Sequence, residues 1–93
     1  MYKVKDIVDL KEFEKFGFEY DEDMNLYIKE VFPPKVKAVY GPYISTGYLF
    51  LKMDGTFHDY IPIYYLGVEE EHKISSEKIY DDLIKADLVE KVD

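Results

Sequence analysis

Four residue types are missing from this chain of 93 residues: cysteine, tryptophan, arginine and glutamine. Without cysteine there is neither a disulfide framework nor a thiolate zinc site. Without arginine, bidentate recognition of phosphate or carboxylate is unavailable, because lysine offers only a compact point charge. Long apolar runs are missing too. No stretch approaches the roughly 18 residues of a membrane-spanning helix, and Met1-Tyr2-Lys3-Val4-Lys5-Asp6 holds no apolar stretch of a signal peptide. No internal repeat and no low-complexity segment interrupts the chain. The expectation is one cytoplasmic domain, residues 1–93, with no membrane partner.

Acid dominates what is present. Twenty Asp and Glu face twelve Lys, for a formal charge of −8 and a pI near 4.7. That balance argues against a direct grip on nucleic acid or on an anionic membrane, both of which are met by basic footprints. Hydrophobic residues make up 47% of the chain and aromatics 17%, too much for a disordered one. The charge is uneven. Residues 1–30 carry nine acids and five lysines, residues 31–68 two acids and three lysines, and residues 69–93 nine acids and four lysines. Two acidic ends therefore flank a nearly neutral, Tyr-rich middle.

The pattern of residues predicts an α+β fold: an antiparallel sheet of about five strands, a short N-terminal helix and a C-terminal helix. Residues 9–16 read as the first helix, with Asp9 and Glu12 at capping-box spacing. Gly17 stands at its left-handed end, and Phe18 folds back on the last turn. Phe18 to Tyr20 and Leu26 to Val31 alternate around an acidic turn and predict a hairpin, with Phe18, Tyr20, Leu26 and Ile28 on one face. Lys35 to Tyr40 is a third candidate strand. Tyr48 to Met53 and Phe57 to Ile63 form a second hairpin about Asp54-Gly55. A two-residue loop there would set Leu51 opposite His58 and gather Tyr48, Phe50, Lys52, Phe57 and Asp59 on one face. Glu69 to Lys73 read as a solvated connection. Ser75 or Ser76 would cap a helix through about Ala86, ended by Asp87, and Leu88 to Val92 suit a last short strand.

No motif marks an activity, and no catalytic residue, metal ligand or cofactor site is assigned. Asp21-Glu22-Asp23-Met24-Asn25 begins like a calcium loop. The sixth position, which needs Gly, holds Leu26, and the twelfth, which needs Glu, holds Phe32. His58 and His72 have no second His or Cys at ligand spacing; His58 reads as a half-buried strand residue and His72 as exposed. A triad of Ser45, His58 and Asp59 fails because neighbours on a strand diverge. Gly41 to Gly47 lacks the lysine of a phosphate cradle. Tyrosine is the feature with positive content: Tyr40, Tyr43, Tyr48, Tyr60, Tyr64 and Tyr65 fall within 26 residues. They are either sheet cladding or a binding face, since Tyr combines large contact area with a polar tip.

Two stretches, Asp9-Leu10-Lys11-Glu12-Phe13-Glu14-Lys15-Phe16-Gly17-Phe18 with Leu26-Tyr27-Ile28-Lys29, and Tyr80-Asp81-Asp82-Leu83-Ile84-Lys85-Ala86-Asp87-Leu88-Val89-Glu90-Lys91-Val92, resemble small acidic proteins of phages and prophages of AT-rich Gram-positive bacteria. The resemblance covers about half the chain and carries no catalytic motif. The acidic ends, the surplus tyrosines and the missing chemistry motivate the leading expectation, a non-enzymatic phage-type accessory protein in the host cytoplasm that binds and inhibits a host protein with a basic surface. In a sharper form the carboxylates imitate DNA, as in anti-CRISPR or anti-restriction proteins. The candidate contact residues are Asp21, Glu22, Asp23, Tyr43, Tyr48, Tyr64, Tyr65, Glu69, Glu70, Glu71, Asp81 and Asp82. The alternatives are a self-associating, dimeric domain, and an immunity-type protein that neutralises a basic toxin.

Overall fold

A computed structural model describes residues 1–31, 47–60 and 68–92. The architecture is α+β and antiparallel, with its strands divided between two sheets. In chain order the elements are β1 (Tyr2–Val4), a 3₁₀ helix (Leu10–Phe16), β2 (Glu19–Asp21), β3 (Leu26–Glu30), β4 (Tyr48–Lys52), β5 (Phe57–Tyr60), α1 (Val68–Lys85) and β6 (Val89–Lys91). The larger sheet runs β2-β3-β4-β5, and β1 pairs with β6 in a two-stranded ribbon. The candidate strand at residues 35–40 lies outside the described residues. No helix among the described residues is long and apolar enough to cross a membrane.

Local chemistry sets the ends of the first helix. The Asp9 carboxylate accepts from the Lys11 amide at 3.0 Å, as an N-cap does. The other half of the capping box is replaced by an ion pair, because Glu12 takes the Lys15 ammonium at 2.9 Å. At the C-terminal end Gly17 has φ +89°. The Gly17 amide donates to the Glu14 carbonyl and the Phe18 amide to the Phe13 carbonyl, a Schellman closure. The rings of Phe13 and Phe18 then meet edge to face at 5.6 Å, the apolar contact that completes such a stop.

Helix α1 begins well before Ser75, and Glu69 to Lys73 lie within it rather than in a connection. The reason is a stripe the sequence obscures: His72, Ser76, Tyr80 and Leu83 are all buried, at spacings of four, four and three. The glutamates lie in the first turns, where the helix dipole favours negative charge. Ser76 caps nothing; its hydroxyl donates to the Lys73 carbonyl inside the helix. At the far end Asp87 takes the left-handed position, φ +65°. The Leu88 amide donates to the Leu83 carbonyl and that of Asp87 to Ile84, while the Lys5 ammonium pairs with the Asp87 carboxylate. This anchors the helix end beside β1.

Both hairpins differ in register from the sequence expectation. Between β4 and β5 the loop has three residues, not two. The Gly55 amide donates to the Lys52 carbonyl at 2.9 Å, and Gly55 sits at φ +85°, as in a turn closed by a glycine bulge. Leu51 therefore faces Phe57, and Phe50 faces His58. Asp54 secures the turn by accepting from the amide and hydroxyl of Thr56; the hydroxyl bond, then the amide bond, hold its carboxyl below the usual carboxylate value. In the first hairpin Asp21 pairs with Leu26 across a four-residue turn. Tyr20 thus shares a face with Tyr27, whereas Leu26 and Ile28 lie on the opposite one.

Those registers decide the core. Tyr27, Leu49 and Leu51 are buried on one face of the larger sheet. The 3₁₀ helix and α1 cover it, with Phe57 at ring contact with Phe13, Phe18 and Tyr80. Val4, Leu83 and Val89 extend the same cluster to the ribbon. The ribbon joins the larger sheet at the β4–β5 turn, where the Val4 amide donates to the Gly55 carbonyl at 3.0 Å.

Candidate protein-binding surface

The opposite face of the larger sheet contains the surface of interest. The register lines its residues up in rows across the strands: Glu19, Ile28, Phe50, His58 in one, Asp21, Leu26, Lys52 in a second, and Glu30, Tyr48, Tyr60 in a third. The rings form a continuous ladder. Tyr48 and Phe50 are stacked at 6.5 Å, Phe50 and His58 at 6.3 Å, and Tyr60 lies 6.3 Å from Tyr48 and 6.0 Å from Phe50. Among the described residues none of these side chains, nor Leu26 or Ile28, belongs to the hydrophobic core cluster; Tyr48, Phe50, Leu26 and Ile28 are half-buried. Tyr60 is 49% exposed and His58 is exposed, so His58 is not the half-buried residue expected.

Beside the ladder, toward β2, lies a hollow of about 370 Å³. Ile28 forms part of its lining with Tyr48, and Glu19, Asp21 and Glu30 supply three carboxylates. Asp21 already accepts from the Met24 amide at 3.0 Å. Glu19 and Glu30 make no hydrogen bond or ion pair among the described residues. The lysine nearest in sequence, Lys29, places its ammonium 6.0 Å from the Phe18 ring centre and against Gly17 at the rim of the hollow, and it pairs with neither glutamate. The site thus joins ring faces, aliphatic surface and unmatched negative charge.

The structure scatters the residues singled out from sequence. Tyr48 is on the ladder. Asp21, at the end of β2, lines the hollow with Tyr48, whereas Glu22 and Asp23 sit in the β2–β3 turn, ordered locally by the Met24 amide on Asp21 and by a Tyr20 hydroxyl to Asn25 contact of 2.5 Å. Glu69, Glu70 and Glu71 lie in the first turns of α1, with Glu70 exposed and Glu71 half-buried; Asp81 and Asp82 are exposed farther along it. Tyr43, Tyr64 and Tyr65 lie outside the described residues. Phe50, Tyr60, Ile28, Glu19 and Glu30 were not among the candidate contacts, and only the strand register assembles them.

A second polar feature lies between α1 and β5. His72 is 2% exposed, not solvated as expected, and its Nε2 lies 2.8 Å from the Asp59 carboxylate. The His–Asp pair of the fold is therefore His72 with Asp59, while His58 diverges to the other face. Nearby, Tyr2 and Tyr80 stack at 3.8 Å with rings 10° apart, and the Lys91 ammonium lies 5.9 Å from the Tyr2 ring centre. Burial, and then the Asp59 charge, push the Tyr80 phenol well above its ordinary value. The sign follows: the unfolded phenol ionises first, so the folded state loses stability as pH rises above about 10. A phenolate absorbance titration should lose a late-ionising component in Tyr80→Phe, and unfolding in alkali should begin earlier in wild type than in that variant.

Comparison with protein-family models, curated proteins and solved structures finds no match to this chain.

Proposed function

We propose that this chain is a non-enzymatic accessory protein of the phage type, which binds a host protein through a basic surface and inhibits it. The observation that carries the reading is the unmatched exposed acid. Lys5 pairs with Asp87 and Lys15 with Glu12, but Glu22, Asp23, Glu30, Glu70, Asp81 and Asp82 have no ion-pair partner among the described residues. Such charge raises self-repulsion in the fold and speeds encounter with a positive partner. In the narrower form the partner surface is one that otherwise holds nucleic acid. Along α1, Glu70, Glu77 and Asp81 follow one stripe at intervals of about 10 and 6 Å, from a rise of 1.5 Å per residue. Lys73 and Lys78 interrupt it, so these acids suit a discrete basic patch better than the unbroken charge row of duplex DNA.

The test is capture from host lysate with low-salt and high-salt washes, repeated with Glu22→Gln, Asp23→Asn, Asp81→Asn and Asp82→Asn combined. The expected result is a discrete partner held at low salt, released at high salt and lost with the neutralised variant. Capture insensitive to both changes would remove the electrostatic reading. Displacement of the partner by duplex DNA would select the narrower form. The second reading, a homodimer, is favoured by the aromatic ladder outside the core; a monomer in sedimentation at high micromolar concentration would exclude it.

A further inference from the structure

We infer that the outer face of the larger sheet, rather than the acidic helix, is where the partner docks, and that its occupant is a basic polypeptide segment with a lysine or arginine side chain seated in the hollow beside Tyr48. The inference rests on the basic-partner reading and adds the site and the chemistry of what fills it. Three observations converge on this face. Among the described residues its aromatic ladder (Tyr48, Phe50, His58, Tyr60) and Ile28 lie outside the core cluster, half-buried or exposed, and so offer ring area for contact. The hollow of about 370 Å³ falls at the lower end of the size of ligand pockets. Among the described residues its carboxylates, Glu19 and Glu30, form no ion pair, the Lys29 ammonium lying at the Gly17 rim instead, while Ile28 and the Tyr48 ring supply the apolar wall along which a lysine or arginine stem would lie. A guanidinium could lie on the Tyr48 ring and still reach a carboxylate. A neutral or acidic segment would leave those carboxylates desolvated without a partner.

The helix surface offers acid with single exposed aliphatic residues, Ile74 and Ile84, while its rings, His72 and Tyr80, are buried, so it presents no aromatic row. Exposed Glu70, Glu77, Asp81 and Asp82 alternate with Lys73 and Lys78, so α1 contributes long-range attraction and little contact. Charge would then govern the rate of encounter, and the sheet face the lifetime of the complex.

The experiment is an amide and aromatic NMR titration of the full chain with a synthetic ten-residue peptide of alternating arginine and valine, against an otherwise identical peptide with glutamate for arginine. The expected result is shift changes gathered on Ile28, Glu30, Tyr48, Phe50 and Tyr60 with the arginine peptide and none with its acidic counterpart. Tyr48→Ala should weaken binding about tenfold or more, as loss of a central aromatic contact does. Glu30→Gln, on an exposed position that leaves the fold intact, should weaken it up to about fivefold at low salt and little at high salt. Shift changes confined to Glu70, Glu77, Asp81 and Asp82 would overturn this site while leaving the basic-partner reading standing. No shift anywhere up to millimolar peptide would overturn both. Sedimentation showing a dimer, with intermolecular contacts between Phe50 or Tyr60 of two copies, would overturn it in favour of a second copy as the occupant.

Discussion

Phe13→Ala is expected to destabilise the protein by about 3–5 kcal/mol, the range for truncating a large buried aromatic. Phe13 is 0% exposed and performs two tasks. Its backbone carbonyl receives the Phe18 amide that closes the 3₁₀ helix. Its ring lies against Phe18 at 5.6 Å and Phe57 at 6.2 Å, fastening that helix to the larger sheet. The alanine variant keeps the carbonyl and loses the ring, so the helix stop loses its apolar contact together with a filled volume. A chain of this size has total stability of about 5–15 kcal/mol, and each kcal/mol shifts the melting temperature by about 4–8 °C. A fall of about 12 °C or more is therefore expected by thermal circular dichroism. A change under about 1 kcal/mol in urea titration, with an unchanged slope, would show that the site collapses without cost and that the three-ring cluster does not hold the helix. Phe13→Leu should recover most of the loss.

The parts of this fold that could be read from sequence are those that local chemistry decides. Asp9, Gly17 and Phe18 delimit the first helix with their own side chains and amides, and each stands where its residue type requires. Leu49 and Leu51, the acidic turn and the glycine at 55 likewise placed the strands. What escaped depends on other parts of the chain. Strand β1 is three residues long and exists because β6 lies beside it, with Tyr2 stacked on Tyr80. The start of α1 was hidden by three consecutive glutamates. Its buried stripe begins at a histidine, and His72 is apolar surface only once Asp59 satisfies its ring.

The candidate site was the least legible part, for a specific reason. A strand register shifted by one residue moves every side chain to the other face. With the β4–β5 loop counted as two residues, Phe57 and Asp59 joined Tyr48 and Phe50. The third loop residue sends Phe57 inward to Phe13 and brings His58 and Tyr60 out to the ladder. Of the tyrosines chosen as contacts, Tyr48 lies on this face, and Tyr43, Tyr64 and Tyr65 lie outside the described residues. Of the carboxylates that accompany Tyr48, Asp21 belongs to an acidic run already singled out, whereas Glu19 and Glu30 sit outside such runs, because a cross-strand neighbour is not visible along the chain.

The interlock between Gly47 and His72 gives the second large effect. A methyl group added at Gly47 would lie 2.0 Å from His72 Nδ1 and 2.8 Å from Cε1, well inside contact distance. Neither side can yield cheaply. The Gly47 carbonyl accepts the Val31 amide at 2.8 Å, fixing the strand entry, and the His72 ring is buried with Nε2 held at Asp59. Gly47→Ala is therefore expected to cost about 2–3 kcal/mol, at the upper end for overpacking. A conformational preference of glycine is not involved, since Gly47 does not adopt the positive φ seen at Gly17 and Gly55. The clash makes a sharper prediction in a double-mutant cycle. His72→Ala alone should destabilise by about 2 kcal/mol through lost packing and the lost bond to Asp59. In that background Gly47→Ala should cost under about 1 kcal/mol, because its methyl group then enters the vacated space, and the coupling between the two sites should reach about 1–2 kcal/mol. Equal cost of Gly47→Ala with and without the imidazole, measured by urea unfolding, would show that the two residues do not constrain each other. The expected coupling would establish the buried histidine as the element that seats α1 against the entry to β4, and so against the sheet whose outer face carries the aromatic ladder.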